Sequence, residues 1–137
     1  MSTQLALMVI EADHFKLVND RYGHATGDAV LRTLVATSAT VLRATDLFAR
    51  LGGEEFGVIL PDTGAEGAMG LGERLLTAMR ETVTEHDGYK LRFTVSIGVA
   101  MLEPDDTSLE ALLHHADLAL YKAKAEGRDR LGLIARP

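Results

Sequence analysis

Three short segments carry residue types at spacings that suit anion and metal chemistry. In the first, Glu11 and Asp13 flank Ala12, where an apolar run gives way to helical periodicity. The free N–H groups of His14, Phe15 and Lys16 at that helix start would form an anion site. Glu11 beside them can hold a divalent cation. The segment also reads, more plainly, as a helix capped by Asp13 next to a solvated strand end. The second segment is Arg50-Leu51-Gly52-Gly53-Glu54-Glu55-Phe56. Its glycines permit a tight turn and close approach of a ligand to the backbone. Two adjacent carboxylates follow, and in a strand they face opposite sides. Hard oxygen ligands without His or Cys suit Mg²⁺. A glycine turn with a solvated acidic strand start fits the same residues. In the third segment, Lys124 and Arg128 can reach an anion, or can complement the negative end of a helix dipole. The adjacent His114 and His115 cannot share a helix face and His86 falls in a loop, so none of these three has metal-site spacing.

These segments need elements to hold them. Residues 5–10 form a continuous apolar run, the pattern of a buried central strand. A short helix is predicted over 14–21, and a longer one over 27–44 with Val30, Leu31, Leu34, Val35, Val41 and Leu42 on one face. Residues 46–51 and 54–60 are strand-like, joined by a two-residue Gly52-Gly53 turn. Thr63 with Glu66 fits a capping box opening a helix to about residue 85, and 86–88 is a loop. A strand is centred on 94–97. Thr107 with Glu110 is a second capping box, opening a helix over 108–126 that Gly127 ends. A last strand spans 130–134. A hairpin among alternating elements predicts an α+β domain: a mixed, largely antiparallel five-stranded sheet covered by helices.

The chain has 137 residues, enough for one domain with its own core, and residues 1–137 are read as a single domain. No apolar run approaches membrane-spanning length, and no signal-peptide pattern opens the chain. With 14 basic and 20 acidic residues, the net charge is −6. That balance disfavours nucleic-acid binding, and aromatic residues at 5% make a base-stacking platform improbable on composition. The absence of cysteine excludes disulfides, thiol nucleophiles and cysteine metal sites. The cytoplasm is the expected compartment, with no membrane contact by this domain.

Taken together, the segments resemble the GGDEF family, the diguanylate cyclases of cyclic di-GMP signalling. Gly52-Gly53-Glu54-Glu55-Phe56 is similar to the signature hairpin. Residues 11–20 resemble the family's D-x-D-x-F-K-x-x-N-D. Tyr22-Gly23-His24 with Gly27-Asp28 resembles its G-H-x-x-G-D, and Ser96-Ile97-Gly98 its S-I-G. Ala116-Asp117, Tyr121-Lys122-Ala123-Lys124 and Gly127-Arg128 resemble the C-terminal block.

The resemblance implies a nucleotidyl-cyclase-like fold and condensation of two GTP into cyclic di-GMP with release of two pyrophosphates. Two domains would face each other as a homodimer, each holding one GTP. Asn19 and Asp28 would hydrogen-bond the guanine edge. Gly52 and Gly53 would let the nucleotide lie against the backbone. Glu54, Glu11 and the carbonyl of Ala12 would hold Mg²⁺ (or Mn²⁺), with Glu55 a second ligand or a proton acceptor. His14, Phe15 and Lys16, with Lys124 and Arg128, would cradle the outer phosphates. Arg43 and Asp46 resemble the family's R-x-x-D inhibitory site for the product, with Arg74 a helper. Two departures stand out. Glu11 occupies a position that is usually Asp, moving the carboxylate by one methylene. The family's N-terminal helix and its D-x-L-T-x-L-x-N-R motif are lacking ahead of the first strand. Both departures motivate an alternative: a weak or degenerate domain that binds GTP or cyclic di-GMP as a signalling receptor.

Overall fold

The computed structural model describes residues 4–134. Strand β1 (Leu5–Ala12) is the apolar run, and it is buried along most of its length. Helices α1 (Phe15–Tyr22) and α2 (His24–Val41) follow it. The hairpin is β2 (Leu47–Gly52) and β3 (Glu55–Pro61). Then come α3 (Ala65–Glu81), β4 (Val83–His86), β5 (Tyr89–Arg92), β6 (Val95–Met101), α4 (Leu109–Ala125) and β7 (Leu131–Leu133).

The main sheet has five strands in the order β2-β3-β1-β6-β7. All neighbours are antiparallel except β6 and β7, which are parallel. The predicted mixed, largely antiparallel sheet is therefore present. β1 lies at its centre, which is why its sequence is apolar on both faces. Ala6, Met8 and Ile10 point to one core with Leu34 of α2 and Leu75 and Met79 of α3. Leu7 and Val9 point to the other core with Leu112, Ala116 and Leu120 of α4. Helix α4 lies directly on the strands. A Cβ at Gly98 of β6 would collide with the Ala116 carbonyl, and one at Gly132 of β7 with the Ala119 carbonyl.

Several boundaries differ from the sequence expectation, each for a local reason. Helix α3 stops at Glu81, and residues 83–92 form a separate two-stranded hairpin. The β-branched run Thr82-Val83-Thr84 and an Asp87-Gly88 turn with both φ values positive (51° and 82°) favour a hairpin there. Thr63 does not cap α3. Its hydroxyl donates to the Pro61 carbonyl and accepts from the Arg43 guanidinium, both at 2.7 Å, leaving Gly64 at the cap. Helix α2 begins at His24, because Gly23 (φ 93°) breaks the chain direction between α1 and α2. It ends at Val41, where the Asp46 carboxylate draws the Arg43 N–H at 2.8 Å into a turn. Ser108, not Thr107, caps α4 by accepting from the Ala111 N–H at 3.1 Å. In the β2–β3 hairpin Gly52 already pairs with Glu55. The turn is thus Gly53-Glu54, and Glu54 sits at its tip rather than on the strand.

Candidate functional site

The site lies at the C-terminal end of β1, where α1, the β2–β3 turn and the end of α4 meet. A pocket of about 450 Å³ there is lined by Glu11, Ala12, His14, Phe15, Lys16, Glu54, Lys124 and Arg128. The three sequence segments, far apart in the chain, thus share one concavity. Lys124 and Arg128 line it instead of merely decorating a helix end. Gly53 (φ 49°) lets the turn fold back, and Arg50 fastens it by donating to the Gly53 carbonyl at 2.6 and 2.9 Å. The Ala12 N–H donates to the Glu54 carbonyl at 3.4 Å, tying the turn to the strand end.

Asp13 is not the helix cap that its position suggests. It is buried, and its carboxylate accepts from the hydroxyls of Thr94 and Ser96, both at 2.6 Å, and from the Asp129 N–H at 3.0 Å. The N-cap of α1 is His14, in the left-handed region at φ 55°. Asp13 therefore pins β1, β6 and the turn after α4 together. Nothing in the local sequence marks it as buried, since its partners lie more than 80 residues away.

Glu11 is different. Its carboxylate pairs with the Lys124 ammonium at 2.5 Å. In register it faces Glu55 across the β1–β3 pair. Asp117 of α4 acts on Glu55 from the helix side. Burial first, then the Asp117 and Glu11 charges, push the Glu55 carboxyl up to about 7, while Lys124 opposes the shift. Glu55 is thus acted on by two further carboxylates, and the lysine that pairs with Glu11 offsets them. The sequence reading placed Asp117 in the C-terminal block and gave it no site role. Its spacing of seven residues from Lys124 on one helix face was the signal available.

Glu11, Ala12 and Glu54 share the pocket, and their oxygens are the hard donors that suit Mg²⁺ or Mn²⁺. Among the described residues no three His, Asp or Glu side chains form a ready metal cluster. The donor set that fits is two carboxylates completed by backbone and ligand oxygens.

Residues 1–130 match the family described as "Diguanylate cyclase, GGDEF domain". The chain belongs to the GGDEF family. It is 41% identical over 129 residues to diguanylate cyclase A of Treponema denticola, covering 94% of this chain and 35% of that one. The GGDEF domain of TpbB (YfiN) from Pseudomonas aeruginosa superposes with a TM-score of 0.92 at 37% identity, covering 98% of this chain and 84% of that one. The GGDEF domain of DgcB from Caulobacter crescentus, solved in complex with c-di-GMP, gives 0.89 at 33% identity, covering 96% and 78%. The chain spans about a third or less of the length of the curated relatives it matches.

Other residues singled out in this GGDEF domain lie outside the first pocket. Asp28 opens on a separate cavity of about 750 Å³ with Leu31, Arg50 and Phe56. Asn19 packs under Gly27, where a Cβ would strike its side-chain oxygen. That oxygen is buried and has no protein hydrogen-bond partner. Arg43 holds Asp46 through Nε and Nη2 at 2.7–3.1 Å, and this carboxylate raises the guanidinium pKa. Arg74 lines a cavity of about 350 Å³ with Val41, Glu73 and Glu81. Among the described residues no helix is long and apolar enough to cross a membrane.

Proposed function

We propose that this chain is a diguanylate cyclase domain. It condenses two GTP into cyclic di-GMP: each 3′-hydroxyl oxygen attacks the other nucleotide's α-phosphorus, and pyrophosphate leaves from each. The observation that carries this reading is the convergence of Glu11, Glu54, Lys124, Arg128 and the start of α1 on one pocket, in a GGDEF chain.

Lys16, Lys124 and Arg128 supply positive charge for the outer phosphates, together with the amides of His14 and Phe15. Asn19 and Asp28 read guanine. The unpartnered Asn19 oxygen is suited to accept from a base N–H. Glu11 and Glu54, with the Ala12 carbonyl, would hold Mg²⁺ or Mn²⁺, which would supply neutralisation of phosphate charge and acidification of the attacking hydroxyl. Glu55, held near neutrality, accepts the hydroxyl proton. Gly52 and Gly53 keep the turn clear for the nucleotide. Two copies face each other during turnover, in the cytoplasm where GTP is found, and product inhibits at Arg43, Asp46 and Arg74.

Incubation with GTP and Mg²⁺ at high protein concentration should yield cyclic di-GMP and pyrophosphate. A folded chain that binds GTP and forms no product would overturn the reading. A receptor role is favoured by one observation: the Glu11–Lys124 pair engages a metal ligand and a phosphate-binding residue with each other. Glu11→Asp separates the two readings. A gain of about tenfold or more in turnover marks the natural site as degenerate, and little change marks it as competent.

A further inference from the structure

A second cavity, of about 420 Å³, opens on the neighbouring face of α1. Residues 16 and 20 of this helix face the first pocket, and residues 18 and 21 face this one. Its volume lies within the range of small-molecule sites. Leu17, Tyr22 and Phe93 give it an apolar floor, and Arg21, Arg80 and Arg92 stand around it. Three of the chain's 14 basic residues therefore surround one hollow in a domain of net charge −6.

The arginines are not neutralised from inside the cavity. The one carboxylate in its lining, Asp13, is already accepting from Thr94, Ser96 and Asp129. Arg80 is oriented by Asp129, at 2.8 Å through Nε and 3.1 Å from Nη2 to the backbone carbonyl. Arg92 donates Nη1 to the Arg80 carbonyl at 3.2 Å, leaving the rest of its fork available. Guanidinium forks bind phosphate bidentately and stack on flat π-systems. An apolar, partly aromatic floor suits a planar ring.

We propose that this cavity binds a nucleoside phosphate, beside the GTP pocket with which it shares the wall of Asp13, His14 and Leu17. Its lining offers no free carboxylate or amide to read a base edge, so adenine serves as well as guanine. The site has a route to the first pocket. Asp129, which holds Arg80, also donates its N–H to Asp13, and the adjacent Arg128 lines the first pocket. Both residues have positive φ, 64° and 51°. A phosphate on Arg80 competes with Asp129 and so acts on the turn that carries Arg128. This coupling rests on the first pocket's being the GTP site; the second site itself does not.

The probe is AMP, titrated by calorimetry into the intact chain. One saturable site is expected, weakened about tenfold or more by Arg21→Ala and by Arg92→Ala, each removing charge-assisted hydrogen bonds. Both side chains are exposed, and circular dichroism checks that the variants fold. Inorganic phosphate alone should bind at least about tenfold more weakly, because the ring contributes. Lys124→Ala should leave AMP affinity unchanged. No AMP binding, phosphate binding as tight as AMP, or sensitivity to Lys124→Ala with none to the arginine changes would each overturn the proposal. Cyclic di-GMP formation is assayed separately. Its failure with AMP binding intact condemns the proposed cyclase function and spares this site.

Discussion

Asp13 and Glu11 leave the same end of β1, two residues apart, and settle in opposite kinds of surroundings. Asp13 is buried and fully satisfied, with two hydroxyls from the start of β6 and a backbone N–H from the turn after α4 donating to it. Glu11 pairs with Lys124, and its charge and that of Asp117 both bear on Glu55. The first arrangement has nothing left to offer a ligand. The second is electrostatically incomplete, and a cation or a phosphate relieves it. One carboxylate builds the pocket, and the other equips it.

Four measurements put this contrast to the test. The largest effect is expected at Asp13. Asp13→Ala strands one buried and two part-buried donors and should cost about 4 kcal/mol of folding stability, read by urea unfolding. A loss below about 1 kcal/mol would make Asp13 as dispensable as a surface charge. Next, Glu54→Ala should lower cyclic di-GMP formation about a hundredfold, roughly 2.7 kcal/mol of barrier, while stability moves within about 0.5 kcal/mol. Equal losses of stability and activity would place Glu54 with Asp13.

Glu55 gives a pH signature. Its folded carboxyl titrates near 7 against an ordinary 4.5, so the folded state holds a proton that the unfolded chain has lost between those values. Stability from this group is present below about 4.5 and is lost as pH rises through about 7. Glu55→Gln should flatten that slope and raise the melting temperature at pH 8, with little change at pH 4. A wild-type slope that survives the substitution would assign it elsewhere. The smallest effect belongs to the Arg43–Asp46 pair on the far turn. Arg43→Ala should cost under ~1 kcal/mol, since Arg43 is 46% exposed, yet weaken cyclic di-GMP inhibition of turnover. Unchanged inhibition would remove Arg43 from the product site.

The sequence made the central strand, the hairpin and the five-stranded sheet readable, because β1 is apolar on both faces and Gly52-Gly53 precedes a carboxylate pair. The pocket's three segments were readable as well, each by its local chemistry. What the sequence hid was contact at long range. Asp13 looked like a cap until β6 and the turn after α4 supplied its donors. Thr63 looked like a cap until Arg43 and Pro61 engaged its hydroxyl. The β4–β5 hairpin was the exception. Its Asp87-Gly88 turn was a local signal, masked by the helical pattern running into it.

The bare backbones of Gly98 and Gly132 beneath α4 set a length as well as a fit. They seat the helix about one methyl group nearer the sheet than alanines would allow. Lys124 projects from that helix toward Glu11, whose side chain is one methylene longer than an aspartate's. The gap spanned by this ion pair is therefore measured from two sides: by a methyl group missing under the helix and by a methylene added on the strand. Widening the bed at Gly98 would shorten the reach of the lysine as surely as trimming the glutamate.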